Sequence, residues 1–232
     1  MGRGLRLHRD AAKGCILNSR ILWFFSRAFL HFKGGRLLED AAHAYRFLRE
    51  RFLDPEYDGK HTYSHAFAVY GLSAYCEASG DREALALAEA LAALMEERCQ
   101  DGYGYLEAFD REWRSLLDLS SYGHDIEVAW LTDRPLSVLG EEGFTERLSP
   151  VTRNLTEQVY RRAYREGSLL NEKGGERVDT DRIWWVQAEA MVGFYNGFER
   201  QEGRTDYLGV CEGPYPGSQG GVGVVLGCGR GI

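Results

Sequence analysis

A histidine, a glutamate three residues on and a tryptophan three further make the first group in this chain whose types and spacing could do chemistry. They are His124, Glu127 and Trp130 in the stretch SSYGHDIEVAW. On a helix, His124 and Glu127 lie one turn apart on one face, with Trp130 close to it. A base of near-neutral pKa, a carboxylate and an aromatic plate together suit a sugar. Its hydroxyls take charged partners and its ring faces stack on indole. The same residues also fit a helix start at which His124 only caps or packs.

Three further groups carry similar chemistry. In DTDRIWWVQAEAMVGF, Trp185 and Glu189 stand at i and i+4, and Asp179 or Thr180 is an expected N-cap for their helix. Trp and Glu side by side fit the wall of a polar cavity better than a core, since an unpaired buried carboxylate is costly. One core Trp with an exposed Glu is the plain alternative. In LNSRILWFFS, Arg20 and Trp23 share a face of an otherwise apolar helix, where the guanidinium either reaches solvent or binds oxygen atoms in a cavity. In HTYSHAFAVYGLSAY, Tyr63, Phe67 and Tyr70 follow one another by single turns. His61 and His65 have the i, i+4 spacing of a metal pair, but no HExxH pattern or supporting carboxylate accompanies them, so no metal is expected.

Helices must position these groups. Leu38, Ala41, Ala42, Tyr45, Leu48 and Phe52 fall at helical spacing, as do Leu87, Leu91, Leu94 and Met95. The stretches starting at Gly34 and Ser79 resemble each other, each with a glycine turn, an alanine-rich helix and an acidic Tyr/Gly loop. Their offset of about 45 residues suits a repeated helical hairpin, a unit that buries its apolar face only by stacking on neighbours. Further helices are expected over 15–33, 62–78, 123–133, 143–165 and 180–199. A short β-hairpin is expected within YGYLEAFDREWRSLL. The fold class is therefore all-α, as a closed toroid or an open solenoid of hairpins. The expected domain spans 1–208, and the glycine-rich stretch 209–232 reads as a disordered tail.

Bulk properties remove several classes. The net charge of −7 offers no basic stripe, which argues against nucleic acid as a partner. No apolar run reaches the length of a membrane span, and the N-terminal stretch carries Arg27 and His31 where a secretory leader would be apolar. Five scattered cysteines without a CxxC pair fit free thiols in a reducing compartment, so a cytoplasmic location is expected.

Taken together, GHDIEVAW, WWVQAEAMVGF, LNSRILWFFS and YSHAFAVYGLSAY resemble the N-acylglucosamine 2-epimerase family, most of all its cellobiose 2-epimerase branch, over about residues 12 to 208. That resemblance implies an (α/α)6 barrel acting on a small-molecule carbohydrate without metal or organic cofactor. The implied reaction opens the sugar ring, removes the C2 proton to give an enediolate, and returns a proton from the other face, with two histidines as bases. It makes His124 one base and Glu127 the group that holds or polarises it. Arg20 and Tyr63 would contact the sugar near C1 and C2, and Trp130, Trp185 and Glu189 would line the subsites.

The chain departs from that pattern in three places. No histidine follows His124, and GPYPGSQGG stands where the family carries a PYHN-like stretch. A middle helix with an NTHLH-like motif is absent, the text passing from FDREW to RSLLDLSSYGHDIE. Seven or eight helices can be counted where the barrel has twelve, so an incomplete toroid is expected. The competing functions are a carbohydrate-binding remnant without turnover, an N-acylglucosamine or mannose-isomerising relative, and a glycoside hydrolase pairing Asp125 or Glu127 with Glu189. Oligomeric state is left open.

Overall fold

The computed structural model describes residues 11–53, 59–101, 104–139 and 142–212. Among them are eight α-helices: α1 (Cys15–Phe32), α2 (Gly35–Arg51), α3 (Thr62–Ser79), α4 (Arg82–Arg98), α5 (Tyr122–Leu139), α6 (Glu142–Ala163), α7 (Trp184–Arg200) and α8 (Leu208–Glu212). None is long and apolar enough to cross a membrane. Local chemistry marks several boundaries. The Asp81 carboxylate accepts the N–H groups of Glu83 and Ala84 to start α4, and Gly80 at φ 76° ends α3.

The odd-numbered helices form a row: α1 packs on α3, α3 on α5, and α5 on α7. Each even-numbered helix folds back on the odd one before it, giving an inner and an outer layer. The inner helix α3 is buried nearly all round, with Ala66, Phe67, Val69, Leu72 and Tyr75 inside. The outer helix α2 is amphipathic and buries only Ala41, Ala44, Tyr45 and Leu48. The core has two parts, one around Leu22, Leu72, Val128 and Leu131, the other around Ile126, Leu169, Val186, Phe194 and Tyr207.

Among the described residues the row is not closed, since α1 and α7, its two ends, do not form a packed pair. Both ends show apolar side chains to solvent: Leu17 and Phe24 on α1, Val192 and the 80% exposed Trp184 on α7.

Short strands tie the helix ends. β1 (Lys60–His61) pairs antiparallel with β2 (Ala108–Phe109). β3 (Leu119–Ser121) pairs with β6 (Glu172–Gly174), which pairs with β7 (Arg177–Asp179), and β4 (Tyr164–Arg165) pairs with β5 (Ser168–Leu169). The two hairpins turn where the backbone crosses to positive φ, at Glu166 and Gly167 and at Gly175.

The short hairpin expected within residues 103–117 is present: Asp110 accepts both the N–H and the Nε of Arg114 at a tight turn, the Asp110 N–H donates to the Arg114 carbonyl and the Leu116 N–H to the Ala108 carbonyl, Phe109 bridges Ser115, and Phe109 also pairs with Lys60 in β1. Two expectations need correction. The helix of WWVQAEAM starts at Trp184 with Ile183 at its cap; Asp179 instead accepts from Asn171 and from the Asp181 N–H in the preceding turn. The stretch expected as a tail from 209 begins as α8, whose Val210 is buried and whose Cys211 donates to the Met191 carbonyl. The rest of it, 213–232, lies outside the described residues.

Candidate active site

Four inner helices bring the candidate residues to one face: α1 contributes Arg20, α3 Tyr63, α5 His124, Glu127 and Trp130, and α7 Trp185 and Glu189. His124 is at the centre. Its Nδ1 lies 2.8 Å from Oε2 of Glu107, and the Tyr63 ring stacks on the imidazole at 4.4 Å with 7° between the planes. The Trp185 ring stands 5.2 Å away. Nε2 makes no hydrogen bond among the described residues. With the carboxylate fixing Nδ1–H, Nε2 is the nitrogen left with a lone pair for an incoming proton.

Glu107 is the candidate site residue that the sequence reading missed. It is buried in the segment before β2. Its other oxygen accepts the Ser121 N–H at 3.2 Å, and its carbonyl accepts the Thr62 N–H at 3.2 Å. One side chain thus joins the starts of α3 and α5 to the imidazole. Its separation of 17 residues from His124 leaves no local pattern; only an unexplained Glu in a loop could have flagged it.

The remaining residues interlock around His124. Arg20 lies over the Phe67 ring at 4.4 Å, with one nitrogen 3.9 Å from Glu127. Trp130 donates Nε1–H to Glu189 at 3.0 Å. Tyr70 stands edge-on to Trp130 at 5.6 Å and stacks on Trp23 at 5.5 Å. Trp185 can sit this close to α5 because position 123 is glycine: a Cβ there would come within 2.6 Å of its ring.

Burial sets the charges. It opposes the imidazolium of His124, but the Glu107 hydrogen bond and the carboxylates of Glu107, Glu127 and Asp125 outweigh it and hold the pKa above the ordinary value. Burial, reinforced by the charge of Glu189, pushes the Glu127 carboxyl up to about 7 against the pull of His124 and Arg20. Glu189 is raised by burial too, less so because Trp130 donates to it. The candidate site therefore brings together a hydrogen-bonded imidazole, a carboxyl whose pKa lies near neutrality, a cation and two indoles.

Asp125 does not join this face. It is buried, accepts the Tyr105 N–H at 2.9 Å, and lines a separate cavity of about 100 Å³ with Asp101, Asp118, Gln158 and Lys173. Burial raises its pKa to about 8, against the Tyr105 hydrogen bond. The native state then binds a proton that the unfolded chain releases above its ordinary value of 3.8, so this stabilising contribution is full below that pH and fades as pH rises through about 8. Asp125→Asn imitates the protonated form. Urea titrations at pH 9 should show the variant more stable than the parent, with the difference gone below about pH 4. A variant less stable than the parent at pH 9 would contradict this account.

His65 Nδ1 lies 2.8 Å from the His61 carbonyl oxygen. Among the described residues no group of three His, Cys, Asp or Glu is placed to hold a metal ion.

Comparison with known proteins decides the ancestry. The chain is 33% identical to the cellobiose 2-epimerase of Eubacterium cellulosolvens, over 89% of this chain and 76% of that protein. It belongs to the cellobiose 2-epimerase family. The cellobiose 2-epimerase of Ruminococcus albus is 34% identical over 84% of this chain and 73% of that one. The crystal structure of a sugar epimerase from a ruminal bacterium matches 89% of this chain and 75% of its own, at 33% identity and a TM-score of 0.52. No family model matches the chain. Family members are carbohydrate epimerases of the isomerase class with (α/α)6-barrel folds, and the two-layered row described above is an incomplete version of that barrel. The first alignment runs over 310 positions, more than the 232 residues of this chain, so part of the relative has no counterpart here.

Proposed function

We propose that the chain binds an aldose at its reducing end, as in a cellobiose-type disaccharide, and removes the C2 proton of the open form with His124. The observation that carries this reading is the imidazole bonded at Nδ1 by Glu107, with Nε2 unbonded among the described residues, Trp185 beside the ring and the carboxylate of Glu127, itself 3.9 Å from Arg20, acting on it. A C2 hydrogen is acidic only next to an aldehyde, and loss of the proton places negative charge on O1, where a guanidinium is of use. Trp130 and Trp185 provide ring faces for sugar stacking, and Glu189, held by Trp130, provides an acceptor for hydroxyls. The reaction would need neither metal nor organic cofactor. N-acylglucosamine and mannose are near alternatives as substrate.

A second reading has an observation of its own. Inverting C2 needs a proton group on each face, and among the described residues the site shows one imidazole. The chain would then be a carbohydrate-binding remnant. Cellobiose incubated with the protein in D2O and followed by proton NMR separates the two readings. Loss of the C2–H signal of the reducing glucose supports His124 chemistry, with net inversion slower than exchange by about 10²-fold or more. Binding without any loss of that signal supports the remnant.

A further inference from the structure

His124 and Asp125 are neighbours on α5, and each holds a different end of the same short segment. The Glu107 carboxylate lies 2.8 Å from Nδ1 of His124, and two residues earlier the Tyr105 N–H donates to Oδ1 of Asp125 at 2.9 Å. The other bonds of that segment go to different elements. The Leu106 N–H donates to the Cys99 carbonyl just after α4, at 2.8 Å. At the start of α3, Thr62 donates its hydroxyl to the Leu106 carbonyl and its N–H to the Glu107 carbonyl. Among the described residues, the Asp125 carboxyl is the one group of α5 that holds the backbone of residues 105–107. The fit there is close. A Cβ at Gly104 would come within 2.5 Å of Oδ2 of Asp125.

Resting on the reading of His124 as the C2 base, we propose that Asp125 is a positioning residue, whose carboxyl ties the 105–107 segment to α5 and so keeps Glu107 in register with His124. Thr62 and Cys99 fix that segment to α3 and α4, but the imidazole rides on α5, and a hydrogen bond tolerates only a few tenths of an ångström of drift. Asp125 closes the gap by gripping the segment two residues from Glu107, using the helix position next to the imidazole itself. The arrangement also accounts for a carboxyl that is only 4% exposed and lies off the sugar-facing side, a placement that costs free energy unless the group has a partner to hold. Asp125 touches no substrate in this account. It acts through Tyr105 and Glu107 on the tautomer and basicity of His124.

The test follows the imidazole directly. In the full chain with nitrogen-15 histidine, the Nδ1–H of His124 held by Glu107 should give a sharp proton signal far downfield, assigned by its loss in Glu107→Gln. Asp125→Asn keeps an oxygen for the Tyr105 N–H and, since burial raises the Asp125 pKa to about 8, changes little charge at neutral pH. It should keep the signal and leave the acid limb of C2 proton exchange from cellobiose in place. Asp125→Ala should lose the signal to exchange with water. The Glu107 bond raises the His124 pKa, so its loss should also move the acid limb to lower pH, as far as Glu107→Gln does, and lower the plateau about tenfold. The other groups acting on His124, Glu127 and Glu189, stay the same throughout, as do Asp101, Arg162 and Lys173 around Asp125. Gly104→Ala crowds the same carboxyl without removing a polar group and should weaken the signal too, which decides the case if Asp125→Ala does not fold. An unchanged signal in Asp125→Ala or Gly104→Ala, or an equal loss in Asp125→Asn and Asp125→Ala, would overturn the proposal. If the parent chain exchanges no C2 proton, the reading of His124 as the base falls, while the signal in these variants still decides the role of Asp125.

Discussion

His124→Asn should slow C2 proton loss from cellobiose by roughly 10²–10⁴-fold, the usual contribution of a positioned general base. Binding of the sugar, read from tryptophan fluorescence, should change little, because the indoles and Arg20 remain. Glu107→Gln gives the more specific result. Glu107 holds the His124 pKa above its ordinary value, and the base works only when neutral, so the rate falls as pH drops through that raised pKa. Removing the carboxylate lowers the His124 pKa. The acid limb of the pH profile should move to lower pH while the plateau drops about tenfold or more. A plateau that falls with the limb unmoved would mean that Glu107 only braces the loop.

Gly193→Ala should be among the most destabilising small substitutions in the chain. A Cβ at 193 would stand 2.3 Å from Cγ1 and 3.1 Å from the carbonyl oxygen of Ile126, a side chain buried completely. The helix gains up to about 1 kcal/mol from replacing glycine, but overpacking of this kind costs about 1–3 kcal/mol, and the backbone oxygen cannot rotate away. A net loss of about 2 kcal/mol is expected in urea titrations. The α5–α7 seam also carries Trp185 against Gly123, so the same substitution should move that indole and weaken sugar binding. Ile126→Ala in the Gly193→Ala background should recover part of the loss, as a double-mutant cycle would show. Losses that simply add would place the strain elsewhere.

Much of the helical layer was legible in the sequence because its information is local. The 3.6-residue spacing of Leu38, Ala41, Tyr45 and Leu48 marks the buried face of α2, and the i, i+4 pair Trp185 and Glu189 marks the side of α7 turned toward α5. Trp184, identical in type to its neighbour, faces solvent. Strands β4 to β7 carry no such signal. At two or three residues each they show no alternation, and they exist because the Glu166–Gly167 and Gly175 turns fold the segment onto β3 and onto itself. The site divides the same way. His124 and Glu127 share a helix and announce each other, whereas the pairing of His124 with Glu107 follows from how β1 and β2 dock the loop before α3 and α5. That contact is a tertiary fact, invisible to spacing.

The unclosed row has a consequence for how the molecule folds. A closed barrel must bring its first and last helices together, and the chain entropy of joining such distant segments has to be met before the contact rewards it. Among the described residues each inner helix packs chiefly on the next, so long-range ordering accumulates largely one hairpin at a time, as in a linear repeat array. Stability then becomes a sum of neighbouring seams. Damage at the α5–α7 seam can loosen the far end of the row while α1 to α4 stay formed, so hydrogen exchange should report two levels of protection where a ring would report one.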